Sequence, residues 1–229
     1  TSIATNPWMS NLSYDPRTAF TPAILIAAVP LVLVVNNNVN AQNAKEFITL
    51  AKANPGKINY ASWGNGSIGQ FAGEIFKIST KTDIAHVPYK STAQALSDTL
   101  AGQVDAMFPT LPLVLQQLGA GKIRALALAS PVRSPLAPDI PTMAEVGVPG
   151  VEVETWFGIF LPAGTPDSIV NKINQTTQSI INTPSVKANL EKQGFRLIGG
   201  SRADFSKYYL SEITRYGRIV KEANLKSSD

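Results

Sequence analysis

Five short apolar runs, Ala23 to Val35, Ile58 to Ser62, Ile84 to Tyr89, Val104 to Phe108 and Ile123 to Ala129, alternate with stretches of helical period. That alternation constrains the fold more than any single motif. It is the pattern of an α/β layer in which the runs are strands and the intervening segments are helices packed on them. The longest run, "AILIAAVPLVLVV", is too short for a membrane-spanning helix and is broken at Pro30. With 229 residues, 44% of them hydrophobic, the chain can bury a substantial core in one large domain or two small ones. Between Ser130 and Pro162 the prolines gather around one apolar run, Trp156 to Leu161. This segment and Pro30 are the two candidate points at which the chain crosses between lobes.

The helices carry their own punctuation. Asn40 is placed to cap a helix over about residues 41–53 that stops at "NPG". A second helix begins near Gly69, with Phe71, Ala72, Ile75 and Phe76 on one face. "PTMAE" reads as a capping box of Thr142 and Glu145, and "GTPD" and "NTPS" each put Thr at a cap with Pro at the first helical position. The last long helix spans about Arg202 to Ala223. The opening "TSIATNPWMSNLSYDPRTAF" reads as loop with at most one short helical turn.

Composition removes several kinds of chemistry. No cysteine is present, which excludes disulfides, Cys-based zinc sites and thiol catalysis. The Lys and Arg residues are scattered without aromatic interleaving, which argues against a nucleic-acid surface, and a net charge of +4 favours small anions only slightly.

The stretch "NYASWGNGSIGQFAGEIF" is the main candidate for chemistry. A strand ending at Ser62, a turn containing Gly64 and Gly66, and a helix start at Ser67 to Gly69 together offer backbone N–H groups, hydroxyls and the positive end of a helix to an anion. Gly64, Gly66 and Gly69 match G-x-G-x-x-G literally, but the loop does not follow the first strand and no acid stands at the usual distance for a ribose. A glycine turn whose serines only cap the helix fits the same residues. His86, the single histidine, has no nucleophile or metal-ligand partner at a recognisable spacing and reads as structural. Asp105 lies inside the apolar "AGQVDAMF", so its carboxylate either bonds locally or faces a cleft. Trp156 and Phe157 can wall a pocket or fill the core.

Six blocks in order, "LSYDPRTAFTPAILIAAVPLVLVV", "AKANPGKINYASWGNGSIGQFAGEIFK", "HVPYKSTAQALSDTLAGQVDAMF", "GKIRALALASPVRS", "PDIPTMAEVGVPG" and "WFGIFLPAGTP", resemble the periplasmic solute-binding receptors of the tripartite tricarboxylate transporter family, the Bug-type receptors. The resemblance implies a two-lobed α/β periplasmic binding protein of type II-like, Venus-flytrap architecture. Residues 1–28 with 157–229 would be the first lobe and 29–156 the second. It also implies that the first lobe lacks its leading strand, a Pro/Gly-rich loop and a helix. The expected activity is capture of a small carboxylate between the lobes, by a monomer in the periplasm of a Gram-negative bacterium, and delivery to the transporter's membrane subunits. Catalysis, cofactor, metal and nucleic acid are not expected. By the same resemblance Ser62, Gly66 and Ser67 belong to the second-lobe binding loop, Ser2 and Thr5 to a first-lobe loop, and Asp105 to the cleft; Gly64 of the same loop and the aromatic Trp156 are further candidates to line it. Two positions depart from the family pattern: Gln70 stands where His is common, and Ser91 where Gly is. Two other readings are kept: an enzyme holding a phosphorylated substrate or cofactor at the glycine loop, and a periplasmic sensory module. A hydrogen bond from His86 to a serine or to Asp105 is the observation that favours the enzyme.

Overall fold

The computed structural model describes residues 1–225. After helix α1 (Ser2–Met9) the chain enters β1 (Phe20–Pro30) and then, across Leu31, β2 (Val32–Asn36). The run expected as one strand from Ala23 to Val35 is therefore two strands, and they join different sheets. Proline at the junction accounts for the division, because it has no N–H to continue a ladder. The chain continues through α2 (Ala44–Ala53), β3 (Asn59–Ser62), α3 (Ile68–Thr80), β4 (Ala85–Pro88), α4 (Thr92–Ala101), β5 (Ala106–Met107), α5 (Leu111–Gly119) and β6 (Ile123–Leu128). It closes with β7 (Glu154–Pro162), α6 (Asp167–Ile181), α7 (Pro184–Lys192), β8 (Arg196–Leu197) and α8 (Arg202–Glu222).

Two compact units result. Pro30–Glu154 form one; Thr1–Val29 with the chain from Thr155 onward form the other. In the continuous unit the sheet order is β4-β3-β5-β2-β6, with β3 parallel to both β4 and β5, and β2 antiparallel to β5 and β6. Strand β2 is an interior strand between β5 and β6, and Leu31 to Val35 are all fully buried, which is why this run is uniformly apolar instead of alternating. Phe47, Phe71, Phe76, Phe108 and Tyr60 fill the space between this sheet and its helices, each contributing roughly 1.5–3 kcal/mol by burial.

The discontinuous unit has a three-stranded sheet, β7-β1-β8, and an aromatic cluster in which Trp156, Phe160, Phe205 and Tyr209 meet at ring separations of 4.8 to 6.4 Å. Here the opening segment is more ordered than its sequence suggests. Helix α1 contains Pro7 and poor helix formers, yet completes two turns because it packs on α8. The Trp8 indole donates to the Ile213 carbonyl at 2.8 Å, and its ring lies against Gly217, where a Cβ would collide with it.

Caps explain most helix starts, with two differences from expectation. Asn43, not Asn40, caps α2: its side chain accepts from the Glu46 N–H at 3.0 Å, while the Glu46 carboxylate accepts from the Gln42 N–H and the Asn43 amide. The Thr142 and Glu145 bonds form as a capping box does, at 2.7 and 3.2 Å, but only a turn follows, ended by Gly147 at φ +84°. Thr183 precedes Pro184 at the start of α7 as expected, whereas α6 starts one residue later than the Thr165–Pro166 pattern implied.

Candidate functional site

The glycine loop joins the end of β3 to the start of α3, at the carboxyl ends of the parallel strands β3, β4 and β5. That is the edge of a parallel sheet at which ligands of α/β folds are held. Gly64 (φ +118°) and Gly66 (φ +76°) take left-handed conformations that other residues adopt at a cost, and Gly69 is needed for a different reason. A Cβ on Gly69 would stand 2.7 Å from the Trp63 ring. The literal dinucleotide spacing thus arises from two turn glycines and one packing glycine.

Ser67 is the N-cap of α3 and accepts from the Gln70 N–H at 3.3 Å. The Ser67 N–H is itself bonded to the Gly64 carbonyl, and the Gly66 N–H to Gln70 Oε1 at 2.7 Å. None of these bonds uses the N–H groups of Asn65, Ile68 or Gly69. Two of these open the first turn of α3, where backbone donors have no partner within the helix and the helix dipole is positive. Asn65 is exposed and Ile68 half-buried, whereas Gly69 is buried against the Trp63 ring, so the donors open to small anions are those of Asn65 and Ile68.

Ser62 is fully buried. Its hydroxyl lies 2.7 Å from His86 Nε2, 3.1 Å from the Gly64 carbonyl and 3.2 Å from the Gly64 N. His86 stands next to it on the edge strand β4, and its other ring nitrogen is 3.3 Å from Gln70 Nε2. Sequence spacing gave no sign of this contact, because the two residues are neighbours across strands, not along the chain. Burial first, and the Lys77 charge second, push the His86 imidazole down to about 4, so it is neutral near pH 7. Behind it Tyr60 donates to the buried Glu74 carboxylate at 2.7 Å, which also pairs with Lys77 at 3.2 Å. Burial and the Glu74 charge raise Tyr60 far above the usual phenol range.

The other expected site residues lie elsewhere. Asp105 precedes β5 and Asn59 opens β3; the Asn59 N–H donates to the Asp105 carboxylate at 2.8 Å and the Asp105 N–H to the Asn59 side chain at 2.9 Å. This clasp is at the amino end of the strand pair, about 10 Å of strand away from Ser62, so Asp105 is not beside the glycine loop. Ser2, Thr5 and Trp156 belong to the discontinuous unit. Ser2 is exposed at the start of α1, while Thr5 is buried and donates to the Ser2 carbonyl. Trp156 is 1% exposed within the aromatic cluster, and its backbone is held by the Thr1 hydroxyl. Ser91 caps α4 by accepting from the Gln94 N–H, at φ −152°, so no glycine is required there. Among the described residues no group of three or more His, Asp or Glu could hold a metal, and no helix is long and apolar enough to cross a membrane.

An α/β unit with backbone amide donors at the carboxyl edge of its parallel strands is a frame on which small anions are held. The model of the tripartite tricarboxylate transporter family receptor matches residues 1–225, and the chain belongs to that family. It is 34% identical over 216 residues to a UPF0065 protein from the tcbD-tcbE intergenic region of Pseudomonas sp. strain P51, a match covering 94% of this chain and 64% of that relative's length. Among solved structures, R. palustris Rpa4515 with adipate is similar at a TM-score of 0.85 and 34% identity, covering 99% of this chain and 77% of that one. MatC from Rhodopseudomonas palustris with bound malate is similar at 0.78 and 28% identity, covering 96% and 74%. The fold is that of the α/β periplasmic binding proteins.

Proposed function

We propose that this chain captures a small organic carboxylate in the periplasm and presents it to the membrane subunits of a tripartite tricarboxylate-type transporter, acting as a receptor without catalysis or cofactor. The observation that carries the reading is the pair of open amide donors at Asn65 and Ile68, held at the start of α3 by Ser67, Gly64 and Gly66. A carboxylate accepts hydrogen bonds only, and such a pair matches it in charge and geometry. Adipate and malate in the two similar structures are dicarboxylates of the expected kind. The two compact units are assigned as the two lobes, with Ser2, Thr5 and Trp156 in the first.

A carboxylate bound at this loop should raise the melting temperature, and calorimetry with adipate, malate, citrate and a monocarboxylate should find one of them binding at micromolar concentration or tighter, about −8 kcal/mol. No stabilisation by any of them would overturn the reading.

The 2.7 Å contact of Ser62 with His86 favours a second reading, a nucleophile beside its base. Against it, the Ser62 hydroxyl is fully buried under the loop, where no substrate carbonyl reaches it. Turnover of an activated ester that is lost in Ser62→Ala would restore the enzyme reading.

A further inference from the structure

The bonds around Gln70 have a direction that can be deduced atom by atom. The Gly66 N–H can only donate, so the atom 2.7 Å from it is the Gln70 carbonyl oxygen. The Gln70 amide NH2 therefore points the other way, to His86 Nδ1 at 3.3 Å, and a donor there requires an unprotonated Nδ1. The neutral imidazole must then carry its proton on Nε2 and donate it to Ser62 Oγ at 2.7 Å. Ser62 accepts this bond and a second from the Gly64 N–H, and its own proton goes to the Gly64 carbonyl at 3.1 Å. The relay from Gln70 through His86 and Ser62 to the Gly64 carbonyl runs one way.

We propose that Gln70 is the positioning residue of the glycine loop: its amide ties Gly66 to His86, holds His86 as the Nε2–H tautomer, and thereby keeps both the Gly66 N–H and the Ser62 hydroxyl for the protein, not for ligand. The ligand is left the N–H groups of Asn65 and Ile68, a consequence that rests on the receptor reading above. The relay itself does not. A carboxylate at position 70 would reverse the direction: it would still accept from Gly66, but it would now draw a proton onto Nδ1 and turn Nε2 into an acceptor for Ser62, the polarity of an activated serine. The groups facing His86 are few. Lys77 acts on it from α3 by charge, Glu74 is paired with Lys77 and with Tyr60, and the Tyr60 ring lies 5.0 Å from the imidazole.

Protonating His86 would place a second ring proton against the Gln70 amide, and flipping that amide would set its NH2 against the Gly66 N–H. The native imidazole therefore resists a proton that the unfolded chain accepts near 6.5, and stability present above that pH is lost as the pH falls toward about 4.

His86 is the chain's only histidine, so its ring nitrogens are read without ambiguity by long-range ¹H–¹⁵N NMR of the unliganded 229-residue chain. The wild type should show Nδ1 unprotonated and Nε2 protonated at pH 7. Gln70→Glu should move the proton to Nδ1 and raise the titration midpoint by about one pH unit or more. A wild-type imidazole protonated on Nδ1, or a Gln70→Glu variant with wild-type tautomer and midpoint, would overturn the proposal. The wild-type measurement decides even if the variant does not fold. A chain with the expected tautomer that binds none of the carboxylates refutes the receptor reading and leaves the relay standing; carboxylate binding with the opposite tautomer does the reverse.

Discussion

Asn59 and Asp105 each use a side chain to satisfy the other's backbone N–H, which joins the first residues of β3 and β5 before either ladder begins. Asp105→Ala strips the acceptor from a part-buried N–H and should lower stability to urea by about 1–3 kcal/mol, whereas Asp105→Asn keeps an acceptor and should cost less than about 1 kcal/mol. If Asp105→Ala instead keeps its urea midpoint and loses carboxylate affinity, the clasp is incidental and the residue belongs to the ligand. The sequence showed that a carboxylate in "AGQVDAMF" needs a partner. It could not show that the partner is 46 positions away, because nothing local marks it. The helix caps divide in the same way. The Thr183–Pro184 pair was legible, but Asn40 and Asn43 offer the same chemistry, and only the reciprocal bonds of Glu46 select the second.

At the scale of elements, α3 and β3 approach so closely that Gly73 faces the ring of Tyr60 with no room for a methyl group. Gly73 is helical and its φ is ordinary, so Gly73→Ala would gain helix propensity if space were free. Here it should destabilise by about 1–3 kcal/mol, read by thermal melting, and Tyr60→Phe should not rescue it, because the ring and not the hydroxyl is the obstacle. A neutral or stabilising Gly73→Ala would show that the helix can shift from the sheet. The strands of the continuous unit were legible because they are short, apolar and bounded by turns. Helix α1 was not, since its order comes from Trp8 packing on α8, some 200 residues away in the chain, and not from its own residues.

At the scale of the molecule, one unit is a continuous segment inserted into the other, and the family blocks were legible in sequence across both, with Pro30 legible as a candidate crossing point because it breaks an apolar run. Because residues 30–154 have their own sheet, helices and core, a fragment of those residues should fold by itself and melt in one cooperative transition by circular dichroism. A fragment without a cooperative melt would mean that its core depends on the rest of the chain. The order in which the parts are made has a further consequence. Leu31 to Val35, "LVLVV", is uncharged and strongly β-prone, and it is safe only as an interior strand between two others. Its partner β6 emerges roughly a hundred residues later, on the order of 5–20 s at ribosomal speed. Until β5 and β6 cover it, the segment has the composition of a template for another copy, and Pro30 stands at its edge as a gatekeeper.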